Sequence, residues 1–185
     1  MHSDIEQRSA AIIDPLTGLL NRNALLTRIH ELTEQSRVTK LPIGIVLGDL
    51  DHFKTINDTY GHSRGDTVLK DVAYVLRKEL RTLDLLYRIG GEEFLVLMPG
   101  ASLGDAARVA ERLRAAVEST TVGEGLRVTM SLGVSASVEG LPFDYEAVFR
   151  RADEALYAAK HSGRNSVREV PAPEEPPYTR GFEVA

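Results

Sequence analysis

The chain has 185 residues, 43% of them hydrophobic and 26% charged, which suits one folded domain and is short for two of ordinary size. A net charge of −5 argues against broad electrostatic binding to nucleic acid polymers or to an anionic membrane. There is no cysteine, so disulfides and thiolate metal sites are excluded, and no apolar run reaches the roughly 18 residues of a membrane span. The polar start MHSDIEQRSA is no signal peptide. The expectation is a cytoplasmic domain without membrane contact, either whole or cut from a longer protein.

In chain order, residues 1–13 read as a helical lead-in, with a helix expected over about Asp4–Ile13. Asn21–Val38 is a helix, with Leu25, Ile29 and Leu32 on one face. Pro42–Leu50 is an apolar, β-branched run and reads as a buried strand. Asn57–Asp66 reads as a loop, with Asp66 capping a helix that runs to Leu80. Leu85–Ile89 and Glu93–Met98 are two strands around the turn-forming pair Gly90-Gly91. A helix over Leu103–Val117, a strand over Arg127–Val138 and a helix over Phe143–His161 follow, the last ending at Gly163. A short strand closes the fold at Ser166–Arg168. Residues 170–185 hold four of the eight prolines in Pro171–Pro177 and read as a disordered tail. The order β-α-β-β-α-β, with a central hairpin, gives an α+β class and a mostly antiparallel sheet flanked by helices.

Four segments carry candidate chemistry. Strand alternation puts Asp49 and Asp51 on one face at a strand end. Gly90-Gly91-Glu92-Glu93 is expected between two strands that flank the Asp49 strand, which gathers three or four carboxylates at one sheet edge. Like charges at that density repel unless a cation holds them, and oxygen ligands alone select Mg²⁺ or Mn²⁺. In the segment from Asn57 to Asp66, a carbonyl or carboxylate oxygen can accept the paired N1–H and N2–H₂ donors of guanine. Lys54, and the basic pair Lys160 and Arg164 near a helix end, are placed to meet phosphates. Each segment also has an ordinary reading as strand end, hairpin turn, loop or capped helix.

Together the segments resemble the GGDEF-type diguanylate cyclase domain from Asp14 to Asn165, which implies a domain over residues 14–169. Asp14-Pro15-Leu16-Thr17-Gly18-Leu19-Leu20-Asn21-Arg22 is similar to the family's DxLTGLxNR opening. The run from Asp49 through Phe53, Lys54, Asn57 and His62 to Asp66 is similar to DxDxFKxINDxxGHxxGD. Gly90-Gly91-Glu92-Glu93-Phe94 is the signature in its GGEEF form, and Ser162-Gly163-Arg164-Asn165 completes the pattern. The resemblance implies a palm-like βαββαβ core with a five-stranded central sheet.

It also implies condensation of two GTP into cyclic di-GMP and two pyrophosphates, each 3′-hydroxyl attacking the other GTP's α-phosphate. By the same resemblance Asp49, the Leu50 carbonyl and Glu92 hold two Mg²⁺ (or Mn²⁺). Glu92, Glu93 and Lys54 serve catalysis. Asn57, His62 and Asp66 read guanine, and Phe53, Lys54, Lys160 and Arg164 surround the triphosphate. Catalysis by this route needs a homodimer, usually brought together by an upstream sensory or receiver domain. Arg81-Thr82-Leu83-Asp84 stands five residues before Gly90 and resembles the family's inhibitory RxxD product site, with Arg112 as a second arginine. The alternative is a module that binds GTP or cyclic di-GMP without turnover; its signature would be eroded, and here it is intact.

Overall fold

The structure, a computed structural model, describes residues 12–173. Helix α1 spans Arg22–Thr39 and is capped by Asn21, whose side chain accepts from the Asn23 and Ala24 N–H groups. Strand β1, Ile43–Leu50, is buried along its whole length, as expected for an apolar run covered on both faces. Two helices follow, α2 over Phe53–Tyr60 and α3 over His62–Glu79. Strands β2 (Leu85–Arg88) and β3 (Glu93–Pro99) form the hairpin. Helix α4, Leu103–Ser119, starts with a reciprocal capping box between Ser102 and Asp105. A two-residue pair, β4 (Thr121–Val122) and β5 (Leu126–Arg127), precedes β6 (Met130–Ala136). Helix α5 spans Tyr145–His161 and β7 spans Val167–Glu169.

The central sheet has five strands in the order β2-β3-β1-β6-β7. Every pair is antiparallel except β6 with β7. The α+β class and the palm-like, mostly antiparallel core are therefore as expected. Pleat alternation splits the interior in two. Val46 and Leu50 of β1 pack with Val68 and Val72 of α3 and with Val109 and Leu113 of α4. Ile43, Ile45 and Leu47 pack on the other face with Leu25 and Leu32 of α1 and with Val148 and Leu156 of α5.

Glycine sets the approach of α5. A Cβ at Gly133 of β6 would collide with the backbone of α5 at the Ala152 carbonyl and the Leu156 N–H. Only a glycine lets the helix lie this close, and Lys160 stands one helical turn beyond Leu156.

Several expectations need correction. Asn57–Asp66 is not a loop: α2 and α3 cover it, broken only at Gly61, whose φ is 85°. Gly61 occupies the N-cap position of α3, so Asp66 lies inside that helix and caps nothing. The strand expected over Arg127–Val138 begins at Met130, because Arg127 pairs back with Thr121. Strand β2 does not flank β1; β3 and β6 do. Of the expected lead-in helix, residues 4–11 lie outside the described residues, and Ile13 forms a β-bridge with Leu20. Of the tail, residues 174–185 lie outside as well, while the Val170 N–H donates to the Val134 carbonyl and so prolongs the β7 pairing.

Candidate active site at the end of the first strand

Asp49 is the penultimate residue of β1 and is 7% exposed. Its position on the α5 side of the sheet follows from alternation with Ile45 and Leu47. Lys160 of α5 reaches it, with Nζ 2.8 Å from Oδ2. Burial raises the Asp49 carboxyl above its ordinary range, a rise opposed by Lys160 and Arg164 and reinforced by Asp51.

The β1–β3 register brings the second acid. Asp49 pairs with Glu93 across the strands, and the Leu50 N–H donates to the Glu92 carbonyl at 3.3 Å. Burial raises the Glu92 carboxyl, and the Asp49 charge raises it further. Two carboxylates thus repel each other at the strand end, the condition a hard cation relieves. Glu93 is turned differently: its carboxylate lies over Gly90, where any Cβ would strike it.

The expected gathering of three or four carboxylates does not form. Among the described residues no group of three or more His, Cys, Asp or Glu side chains is arranged to hold a metal ion. Asp51 leaves the set, because its carboxylate accepts from Thr129 Oγ1 and Ser131 Oγ, both at 2.7 Å, and from the Asn165 N–H at 3.0 Å. Asp49, Glu92 and the Leu50 carbonyl remain. That donor set is all oxygen and incomplete, which fits Mg²⁺, an ion that keeps waters and takes substrate phosphates for its other positions.

The other candidates lie on the two helices α2 and α3 and in the turn after α5. Phe53 is buried at the start of α2, with Lys54 exposed beside it. Asn57 lies one turn on, and its Oδ1 sits so close over Gly65 of α3 that a Cβ there would collide with it. His62 and Asp66 are exposed, one turn apart on the same side of α3. Arg164 is exposed just beyond α5 and carries a φ of 63°.

The opening segment is a closed turn that supports the hairpin. Asp14 accepts from the Thr17 N–H at 2.9 Å and from Thr17 Oγ1 at 2.6 Å, and Gly18 turns the chain with a φ of 72°. Arg88 at the end of β2 joins Asp14 with Nη1 and holds the Gly91 carbonyl with Nε and Nη2. The turn before Glu92 is thereby fixed from behind.

The Arg81–Asp84 pair stands at the other end of β2, about 13 Å of strand away from the Gly90 turn. Asp84 is 4% exposed and accepts from the Arg81 N–H at 3.1 Å. Arg112 of α4 donates to the Glu79 carbonyl at 2.6 Å, two residues before Arg81. Arg81, Asp84 and Arg112 are thus neighbours around the end of α3, remote from Asp49.

Comparison with known proteins agrees with the fold. Residues 11–166 match the family described as "Diguanylate cyclase, GGDEF domain". The response regulator PleD of Caulobacter vibrioides is 46% identical over 162 residues, covering 85% of this chain and 36% of PleD. Diguanylate cyclase DgcP of Pseudomonas aeruginosa is 47% identical over 168 residues, covering 89% of this chain and 25% of DgcP. This chain therefore spans about a third or less of the length of these relatives. Among solved structures, the coiled coil and GGDEF domain of DgcB from Caulobacter crescentus, in complex with c-di-GMP, superposes with a TM-score of 0.80 at 32% identity, covering 90% of each chain. On the extent of the family match and the identity to these relatives, this chain belongs to the GGDEF diguanylate cyclase family.

Proposed function

We propose that this domain is a diguanylate cyclase that condenses two GTP into one cyclic di-GMP and two pyrophosphates. The observation that carries the reading is the meeting of Asp49 and Glu92 at the end of β1, each with a raised carboxyl. Each step forms a bond from a 3′-oxygen to an α-phosphorus and breaks that phosphorus's bond to pyrophosphate.

In this reading Asp49, the Leu50 carbonyl and Glu92 hold two Mg²⁺ or Mn²⁺. Bound there, the ions neutralise charge on the α-phosphate and on the attacking and leaving oxygens. Glu92 also accepts the 3′-hydroxyl proton at a carboxylate oxygen. Glu93 supports the turn. Asn57 and Asp66 accept the guanine donors, with His62 beside them, and Phe53 lines the nucleotide. Lys54, Lys160 and Arg164 neutralise the triphosphate. Lys160 serves Asp49 when the substrate is absent.

One domain holds one GTP, so the working unit is a twofold homodimer with the two 3′-hydroxyls opposed. An upstream sensory or receiver domain in the full protein brings the two copies together. Cyclic di-GMP also binds at Arg81, Asp84 and Arg112 and inhibits. No helix among the described residues is long and apolar enough to cross a membrane, and a GTP-consuming domain of this kind works in the cytoplasm.

The test is incubation of concentrated protein with GTP and Mg²⁺, with products identified by mass, and Asp49→Asn alongside. Cyclic di-GMP and pyrophosphate from the wild type alone are expected. GTP bound but unconverted, even after dimerisation is forced and bound product stripped, would replace the cyclase by a receptor.

A further inference from the structure

The turn that carries Arg164 is held in an unfavourable conformation. Gly163, Arg164 and Asn165 have φ values of 107°, 63° and 40°, three consecutive residues in the left-handed half of the map. Glycine accepts this freely and asparagine tolerates it, but arginine does so only when its surroundings impose it. The surroundings here are two elements distant in sequence. The Asn165 N–H donates to Asp51 Oδ2, which ties the turn to the end of β1. The Asn165 side chain accepts from Arg114 Nη1 at 2.8 Å and donates to Glu118 Oε1 at 2.8 Å, which ties it to α4.

The α4 pair is itself braced. Arg114 Nη1 lies 2.8 Å from Glu118 Oε2, and Nη2 lies 2.7 Å from Glu111. The Arg114 side chain is only 16% exposed. Hydrogen bonds from Arg114 and Asn165 hold the Glu118 carboxyl below its ordinary range. Neither Arg114 nor Glu118 is near Asp49 in the contacts described, yet the turn they fix holds Arg164, whose charge acts on Asp49.

We propose that Arg114 and Glu118 are positioning residues for the nucleotide: through Asn165 they hold the Gly163–Asn165 turn and so aim Arg164 at the outer phosphates. This rests on the reading that Arg164 meets the triphosphate. The chemical class recognised is a nucleoside triphosphate, as against a monophosphate.

The experiment compares binding of GMP with that of a GTP analogue whose α,β link cannot be cleaved, both with Mg²⁺, by titration calorimetry or NMR. Arg164→Ala is expected to weaken the analogue about tenfold, the size of one charge-assisted contact, and to leave GMP unchanged. Arg114→Met is expected to weaken the analogue about three- to tenfold, also without effect on GMP. Adding Arg114→Met to Arg164→Ala is expected to cost nothing further, since the first acts through the second. Glu118→Gln keeps the shape, gives a smaller loss in the same direction, and carries the test if Arg114→Met does not fold. An effect of Arg164→Ala with none of Arg114→Met or Glu118→Gln overturns the positioning role alone. Equal losses for GMP and the analogue overturn it too, as a general loss of structure. No effect of Arg164→Ala overturns the phosphate contact, and the positioning role with it.

Discussion

Arg88 and Asp14 are joined at 3.0 Å across 74 residues of sequence, and the same guanidinium holds the Gly91 carbonyl at 2.8 Å. One side chain therefore fastens both the opening turn and the hairpin turn that presents Glu92.

Asp14→Asn should cost about 2 kcal/mol at neutral pH, the scale of a half-buried charged hydrogen-bond set. The sign with pH follows from the Asp14 carboxyl. Burial acts to raise it, but the Thr17 donors and Arg88 outweigh burial and hold it below its ordinary value of 3.8. The stabilisation is therefore complete above about that pH and is lost as pH falls through the lower folded value. Denaturant unfolding of wild type and variant should give curves that converge at the acid end and stay apart from pH 5 to 8.

Gly65→Ala and Gly133→Ala should separate cleanly. The Cβ added at Gly65 meets the end of the Asn57 side chain, which can swing away, and comes within 3.2 Å of the Phe53 ring tip, which must give by a few tenths of an ångström. That variant should fold with little loss of stability and bind GTP several-fold more weakly. The Cβ added at Gly133 meets α5 backbone, which cannot yield locally. Its cost should be about 3 kcal/mol, an overpacking penalty at the upper end of the usual range. Melting temperature and GTP affinity, measured on both, distinguish the two outcomes.

Arg81→Ala should abolish cyclic di-GMP binding at the product site and raise product yield, with melting temperature unchanged, because its side chain is exposed. Asp84→Ala should also unfold at lower temperature, since Asp84 is buried and closes the turn onto the Arg81 N–H. Calorimetry with cyclic di-GMP reads the first effect and thermal unfolding the second. Retained affinity in Arg81→Ala would remove the product site from this position.

Specific activity should rise with protein concentration, because two copies make one catalyst. A dilution series against turnover per chain checks this; a flat profile would mean a dimer already formed at the lowest concentration.

Strand β1 was legible because eight consecutive residues from Ile43 to Leu50 carry only two glycines and one acid among apolar side chains. The helix α2 was not. Asn57, Asp58 and Thr59 are weak helix formers next to a glycine, and burial of Phe53 overrides their local preference. Asp49 and Glu92 were legible as a pair only through the hairpin, and the inference placed β2 on the wrong side of β3. The role of Asp51 was hidden, because its hydroxyl donors Thr129 and Ser131 lie 78 and 80 residues further along. The Arg114–Asn165 contact, 51 residues apart, left no local signal in either segment.

The sheet divides the interior into two sealed compartments, one shared with α3 and α4 and the other with α1 and α5. A methyl group gained at Val72 cannot be accommodated by one lost at Leu32, since no side chain crosses the backbone plane between them. Sequence drift in this domain therefore proceeds as two independent ledgers of volume. Compensating substitutions should co-occur within each compartment and be uncorrelated between them.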